Sequence, residues 1–266
     1  MRVTETSLFV AAAASVVGSA LAYARSVLRP YVPPGEQPPS AKTHSVWRII
    51  EQNFSLVAFL CTIAGLVLAK VEGDRWPLTT PAEVVFASAG SALLWHTTRR
   101  QDRQPRWAPL LFYVLLTGLF LWALTHWPAA KNTDGVEVWQ QAWTFASHLA
   151  LAVSCGAFIQ AGSVAMASVL TTRDRERSSP QPESNVALWG LAALTTSLLI
   201  TALGGLYTQG IHWSWASSEP WQLLLWLFYV AVWCGSILLE WRGWRLWIWT
   251  ALGSILTMLM LGTMVV

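Results

Sequence analysis

The chain has 266 residues, is 54% hydrophobic and only 12% charged, and carries 18 tryptophans with a net charge of +3. Soluble domains carry about 25% charged residues, so the composition excludes an ordinary soluble domain; it points to membrane lipid as the surroundings and to no nucleic-acid partner. No Cys-x-x-Cys-His, Walker, Rossmann or zincin pattern occurs, which excludes covalent c-type heme on this chain and the common nucleotide and zinc-protease sites.

Eight apolar segments follow one another, roughly 7–24, 49–69, 81–98, 107–127, 141–170, 186–207, 221–240 and 245–264. Each is close to the ~20 residues that span a bilayer. They predict an all-α integral membrane protein with about eight transmembrane helices, residues 1–266 forming a single polytopic domain. The first could be mistaken for a secretory leader, since Ala20-Leu21-Ala22 resembles a cleavage site. Its basic residues follow the apolar stretch instead of preceding it, so it reads as a retained helix. The second carries Glu51 near its start. The third is the weakest, with Glu83 and His96 near its ends. Pro30–Pro39 and Arg173–Asn185 read as polar linkers. Cys61, Cys155 and Cys234 each lie inside an apolar run, which argues against a disulfide framework.

The loops alternate in charge. Thirteen basic residues fall after the odd-numbered segments, including Arg99, Arg100, Arg103 and Arg106, and four (Arg2, Lys70, Arg75, Lys131) on the other side. By the positive-inside rule this places both termini, and the loop 208–220, on the non-cytoplasmic face of a bacterial-type inner membrane.

That topology sorts the histidines. His126, His148 and His212 fall outside; His44 and His96 fall inside. His148 lies about two turns into the fifth segment, where an ionisable side chain is a functional candidate; the bland alternative is a neutral histidine bonded to a neighbouring helix. His126, followed by Trp127-Pro128, reads as interfacial anchoring, His96 as facing the cytoplasmic headgroups, and His44 as part of a polar linker. Glu83 reads as a carboxylate in a helix's first turn, favoured by the helix dipole, and Glu219 likewise. The tryptophans of the last two segments read mostly as interfacial belt.

The loop before the seventh segment is His212-Trp213-Ser214-Trp215-Ala216-Ser217-Ser218-Glu219-Pro220-Trp221. Three indoles give broad amphipathic faces suited to a flat aromatic ligand or to the membrane interface, and His212 adds a metal-ligating nitrogen. Trp213, Trp215, Glu219 and Trp221, continued by Trp226 and Tyr229, resemble the tryptophan signature of the cytochrome c assembly family of heme-handling membrane proteins. Pro77-Leu-Thr-Thr-Pro-Ala-Glu83 resembles that family's proline-led loop, His148 with Gly156-Ala-Phe158 its outer-histidine helix, and Gly243-Trp244 the turn before its last helix. The resemblance covers nearly the whole chain. It implies that Trp213, Trp215 and Trp221 pack a b-type heme at the outer surface, with His148 as iron ligand and His212 as a substitute for a second one.

The chain also departs from that pattern. Ala216 stands where the signature has aspartate and Ser217-Ser218 where it has Pro-Lys; Cys234, and a position near Cys61, stand where the family has membrane histidines; and a second outer histidine of the family has no counterpart before Val266. The resemblance therefore leaves two readings. One is a heme-handling protein of c-type cytochrome biogenesis, holding heme transiently and meeting apocytochrome c or a separate heme-assembly protein. The other is a degenerate relative without heme, acting as a scaffold or accessory subunit of a larger respiratory or cytochrome-containing membrane complex. In either reading Cys61 and Cys234 are small apolar fillers, a thiolate site or a redox pair. A transporter is a weaker third reading, since apart from Glu83 and Glu51 the segments hold little charge to mark a polar path.

Overall fold

The computed structural model describes residues 3–27, 41–73, 76–98, 107–125, 138–171, 182–209 and 219–265. They form eight α-helices: α1 Val3–Val27, α2 Ala41–Gly73, α3 Pro81–Thr98, α4 Ala108–Thr125, α5 Val138–Leu170, α6 Pro182–Gln209, α7 Glu219–Leu238 and α8 Trp244–Val265. Seven of them are long and apolar enough to cross a membrane, all but α3. This is the architecture of a multi-pass membrane protein whose outward-facing leucines, isoleucines and valines contact lipid.

α5 is the hub. It packs on α3, α4, α6 and α8, and 78% of its apolar span is buried, against 28–44% in the other six candidate spans. α3 falls below the hydropathy of a span for the opposite reason to a surface helix. Eleven of its residues are buried, among them Glu83, Ser88, Gly90 and His96. Small and polar side chains lower its hydropathy, but they face neighbouring helices rather than lipid, so the weakest apolar segment is among the most interior.

α2 begins at Ala41, eight residues before the predicted span, and takes in His44 and Arg48. At 1.5 Å per residue its 33 residues reach roughly 50 Å, beyond a hydrocarbon core of about 30 Å. Nothing between Pro39 and the apolar stretch breaks the helix. α6 likewise starts inside the predicted linker, at Pro182, a residue suited to a first helical turn because its missing N–H would have no intrahelical partner there.

Close approach between helices is set by small residues. A Cβ on Gly156 of α5 would lie 2.6 Å from the Ala92 backbone nitrogen and 2.7 Å from the Ser91 side chain of α3, so α3 and α5 touch backbone to side chain only because this residue is glycine. Stacked aromatics fill the remaining space: Phe9 on Phe86 at 4.1 Å and Phe158 on Tyr229 at 3.6 Å. The α7–α8 turn carries positive φ at Glu240 (49°) and Gly243 (60°). The Gly235 carbonyl there accepts from both Leu239 and Trp241 N–H, and Trp241 stacks on Trp249 at 5.6 Å. Several tryptophans of α7 and α8 are exposed as expected of a belt, Trp233 and Trp244 among them. Trp226 departs from that expectation, donating its indole N–H to Thr195 Oγ1 of α6 at 2.9 Å. All three cysteines are free, Cys155 buried and Cys61 and Cys234 half-buried.

Candidate functional site

The segment between α2 and α3 is laced along one stripe of α5. Gln141, Phe145 and His148 recur at i, i+4 and i+7, so they share a helix face. Each holds one part of the loop. The Trp76 backbone N–H donates to Gln141 Oε1 at 3.4 Å. The Trp76 ring packs on Phe145 with centroids 5.4 Å apart. His148 Nδ1 lies 2.6 Å from the Leu78 carbonyl oxygen. A carbonyl can only accept, so Nδ1 carries the proton and donates, and in the neutral ring Nε2 is left with its lone pair.

The carbonyl is aimed by local backbone geometry. Leu78 sits at φ 63°, a left-handed conformation that costs a branched L-residue roughly 1–2 kcal/mol. Two features hold it there. The Leu78 side chain is buried, 1% exposed. The next two residues are pinned by Glu83, whose Oε2 accepts from the backbone N–H of Thr79 at 3.0 Å and of Thr80 at 3.3 Å, while Thr80 Oγ1 accepts from the Glu83 N–H at 3.4 Å. Thr80 and Glu83 thus form a capping box at the N-terminus of α3. The helix-start role expected for Glu83 is what it does, with the added task of fixing the loop that touches His148. Replacing Glu83 with alanine should cost about 1 kcal/mol, as loss of a cap does, and should raise amide hydrogen exchange at Thr79 and Thr80 before exchange elsewhere in α3; equal exchange in variant and parent would refute the assignment.

The other side of His148 is equally fixed. Ser147 is bonded to α6 through Thr201 Oγ1 at 2.5 Å and Ser197 Oγ at 3.3 Å, and Ser197 Oγ donates to the Ser147 carbonyl at 2.9 Å. Near the same end of α5, Trp143 stacks on Tyr207 of α6 at 6.2 Å. His148 itself is half-buried, and among the described residues its Nε2 makes no hydrogen bond.

The chain matches no protein-family model, no curated protein and no solved structure.

Of the residues singled out in the sequence, His148 is held in a defined orientation on the most buried span. Trp221 lies in the first turn of α7 and is 40% exposed, an indole face open to its surroundings. His212, Trp213 and Trp215, like His126, lie outside the described residues. A shallow crevice opens elsewhere, between α6, α7 and α8, lined by Leu191, Tyr229, Trp233 and Thr250 among others and by no histidine, cysteine or acid.

One expectation is corrected. His96 does not face the headgroups. It is 1% exposed, stacked on Phe112 with centroids 4.4 Å apart, and its Nε2 is 3.6 Å from Glu51 Oε1. Sequence reasoning assigned His96 outward because Arg99 and Arg100 follow it closely. α2, α3 and α4 enclose it before the chain reaches those arginines. The signal that could have found the pair is an acid within one apolar segment and a histidine in another, both near their basic ends.

Proposed function

We propose that this protein handles heme in c-type cytochrome biogenesis, in a bacterial-type inner membrane, with both termini and the tryptophan loop on the non-cytoplasmic face. The observation that carries the reading is the His148–Leu78 contact at 2.6 Å. A backbone carbonyl on one ring nitrogen is the outer-shell partner that fixes the tautomer and orientation of metal-ligating histidines and raises their basicity. The alternative, a histidine that merely anchors a loop, leaves the open Nε2 without a purpose.

The residues present suit a porphyrin better than a bare ion. Among the described residues no three or more His, Cys, Asp or Glu side chains group together as a metal would require. A porphyrin supplies its own equatorial nitrogens and asks the protein for as little as one axial imidazole. His148 Nε2 would be that ligand. As the resemblance implies, Trp213, Trp215 and Trp221 would supply flat aromatic faces and His212 a second nitrogen. Heme, when bound, would be cargo for the cysteines of an apocytochrome c. The chain's own contribution is orientation: the Leu78 carbonyl, the Thr80–Glu83 cap and the Ser147–Ser197–Thr201 cluster hold the imidazole so that little ordering remains to be done on binding.

One observation favours a second reading, a heme-free scaffold subunit of a larger complex. Ala216 stands where the signature has aspartate, and Cys234, at a family histidine position, and Cys61, near another, belong to no ligand cluster among the described residues. A reduced-minus-oxidised spectrum with a pyridine hemochrome assay on detergent-purified protein separates the two. Stoichiometric b-type heme is expected. An apo protein purified from cells supplied with heme, accompanied by stoichiometric partner subunits, would move the assignment to the scaffold.

A further inference from the structure

A second polar site lies at the opposite end of α3, remote in sequence from the His148 contact. Glu51 of α2 is 2% exposed and His96 of α3 is 1% exposed. Glu51 Oε1 accepts the Tyr113 hydroxyl of α4 at 2.9 Å and lies 3.6 Å from His96 Nε2. From Tyr113 the contacts continue to Ser55 Oγ at 2.8 Å, then to Ser19 Oγ of α1 at 3.3 Å, and Ser19 donates to the Ser15 carbonyl at 3.1 Å. Four helices meet around one carboxylate.

We propose that Glu51, His96 and Tyr113 form a proton-binding site inside the helix bundle, with Ser55 and Ser19 as its relay. The inference is independent of heme. An unpaired charge at this depth would be costly, and ionisable groups within membrane spans mark proton and ion pathways by default. Here a carboxylate and an imidazole are placed side by side and sealed by aromatic rings: Phe112 stacked on the imidazole and Tyr113 edge-on to it at 5.3 Å. The step is a simple exchange. The N–H bond of a protonated His96 breaks, an O–H bond forms on Glu51 Oε1, and both groups end neutral. At 3.6 Å the gap is slightly longer than a hydrogen bond, so a small side-chain rotation or a single water completes the path. Hydroxyls both donate and accept, and in the Ser55–Tyr113 and Ser19–Ser55 contacts either oxygen can be the donor, which is what a relay needs to reset. The oxygens contact one another directly at hydrogen-bond distance, so protons rather than a larger cation fit between them.

On α2 itself, Arg48 and His44 precede Glu51 by about one and two turns. α3 contributes His96 and α4 contributes Tyr113. On α1, Tyr23 lies one turn past Ser19 and is half-buried, and Arg25 beyond it is exposed. His96 lies two residues before the end of α3, so that end of the bundle is the side from which a proton would enter.

The test is infrared difference spectroscopy of the full-length protein in proteoliposomes, stepping across about pH 5 to pH 8, the range in which histidine changes charge. A protonated-carboxyl band that grows as pH falls is expected. It should vanish in Glu51→Gln, which still accepts from Tyr113 and so preserves the packing, and its midpoint should shift in His96→Gln. Tyr113→Phe, which removes the hydroxyl donating to Glu51 Oε1, should keep the band but move it to higher frequency. Gel filtration confirms that each variant is folded. A wild-type protein without such a band, a band that survives Glu51→Gln, or a midpoint that follows sodium concentration instead of pH would each overturn the proposal.

Discussion

His148→Ala is expected to abolish bound heme while leaving the protein folded. The substitution removes the only histidine placed among the described residues near the α2–α3 loop, and with it the bond to the Leu78 carbonyl. The structural cost is that of leaving the Leu78 carbonyl without its partner, about 1–3 kcal/mol, too little to unfold a bundle whose central helix packs on four neighbours. The cost to a ligand is of a different order, because even loss of an outer-shell partner weakens metal binding about 10–100-fold, and here the donor itself is gone. Two outcomes distinguish ligand from loop anchor. Exogenous imidazole should restore the heme spectrum of the alanine variant if the ring nitrogen is the ligand, since free imidazole can fill the vacated space without remaking the chain connection. A His148→Ala protein whose spectrum equals the parent's would end the ligand assignment.

The second large effect concerns packing. Gly156→Ala should destabilise the protein by about 1–3 kcal/mol, the usual range for overpacking a well-filled contact, despite alanine's better helix propensity. The added Cβ would stand 2.6 Å from a backbone nitrogen of α3, and a backbone atom cannot swing aside as a side-chain tip can. α3 must move, and it carries the Glu83 cap that positions Leu78, so the alanine variant should also bind heme more weakly. Gly118→Ala is the control. Nothing lies within 4 Å of its Cβ position, so the same substitution should be neutral or stabilise by about 0.5–1 kcal/mol, the helix-interior advantage of alanine over glycine. Thermal unfolding in detergent compares the two. Equal and small shifts would show that the α3–α5 contact has slack that the static geometry does not reveal.

The two sites differ in how much of them could be read in advance. The start of α3 was legible because its signal is local: Glu83 reads as a carboxylate in a helix's first turn, although its capping-box spacing with Thr80 went unread. His148 was legible as a candidate because a histidine deep in an apolar run is unusual. Its partner was not, since a backbone carbonyl 70 residues away leaves no mark in side-chain pattern. Leu78 is the sharpest case. Nothing about a leucine suggests positive φ, and only the packing around its side chain and the cap after it make that conformation tolerable. Glu51 and His96 misled in the opposite way, since each looked like a terminal polar residue of its own segment.

By itself the sequence determined the class and the order of parts. Hydropathy is a sum along the chain, and it is enough to mark seven segments long and apolar enough to span a membrane, the eighth being the weak one, and with them an all-helical membrane architecture with basic-rich and basic-poor loops. Tertiary structure alone decided which polar residues meet. That selection depends on which face of each helix turns inward and how closely two backbones approach, and neither survives averaging over a window. It is why the least apolar helix lies inside, why a glycine on α5 sets the distance to α3, and why a glutamate and a histidine 45 positions apart share one enclosed site.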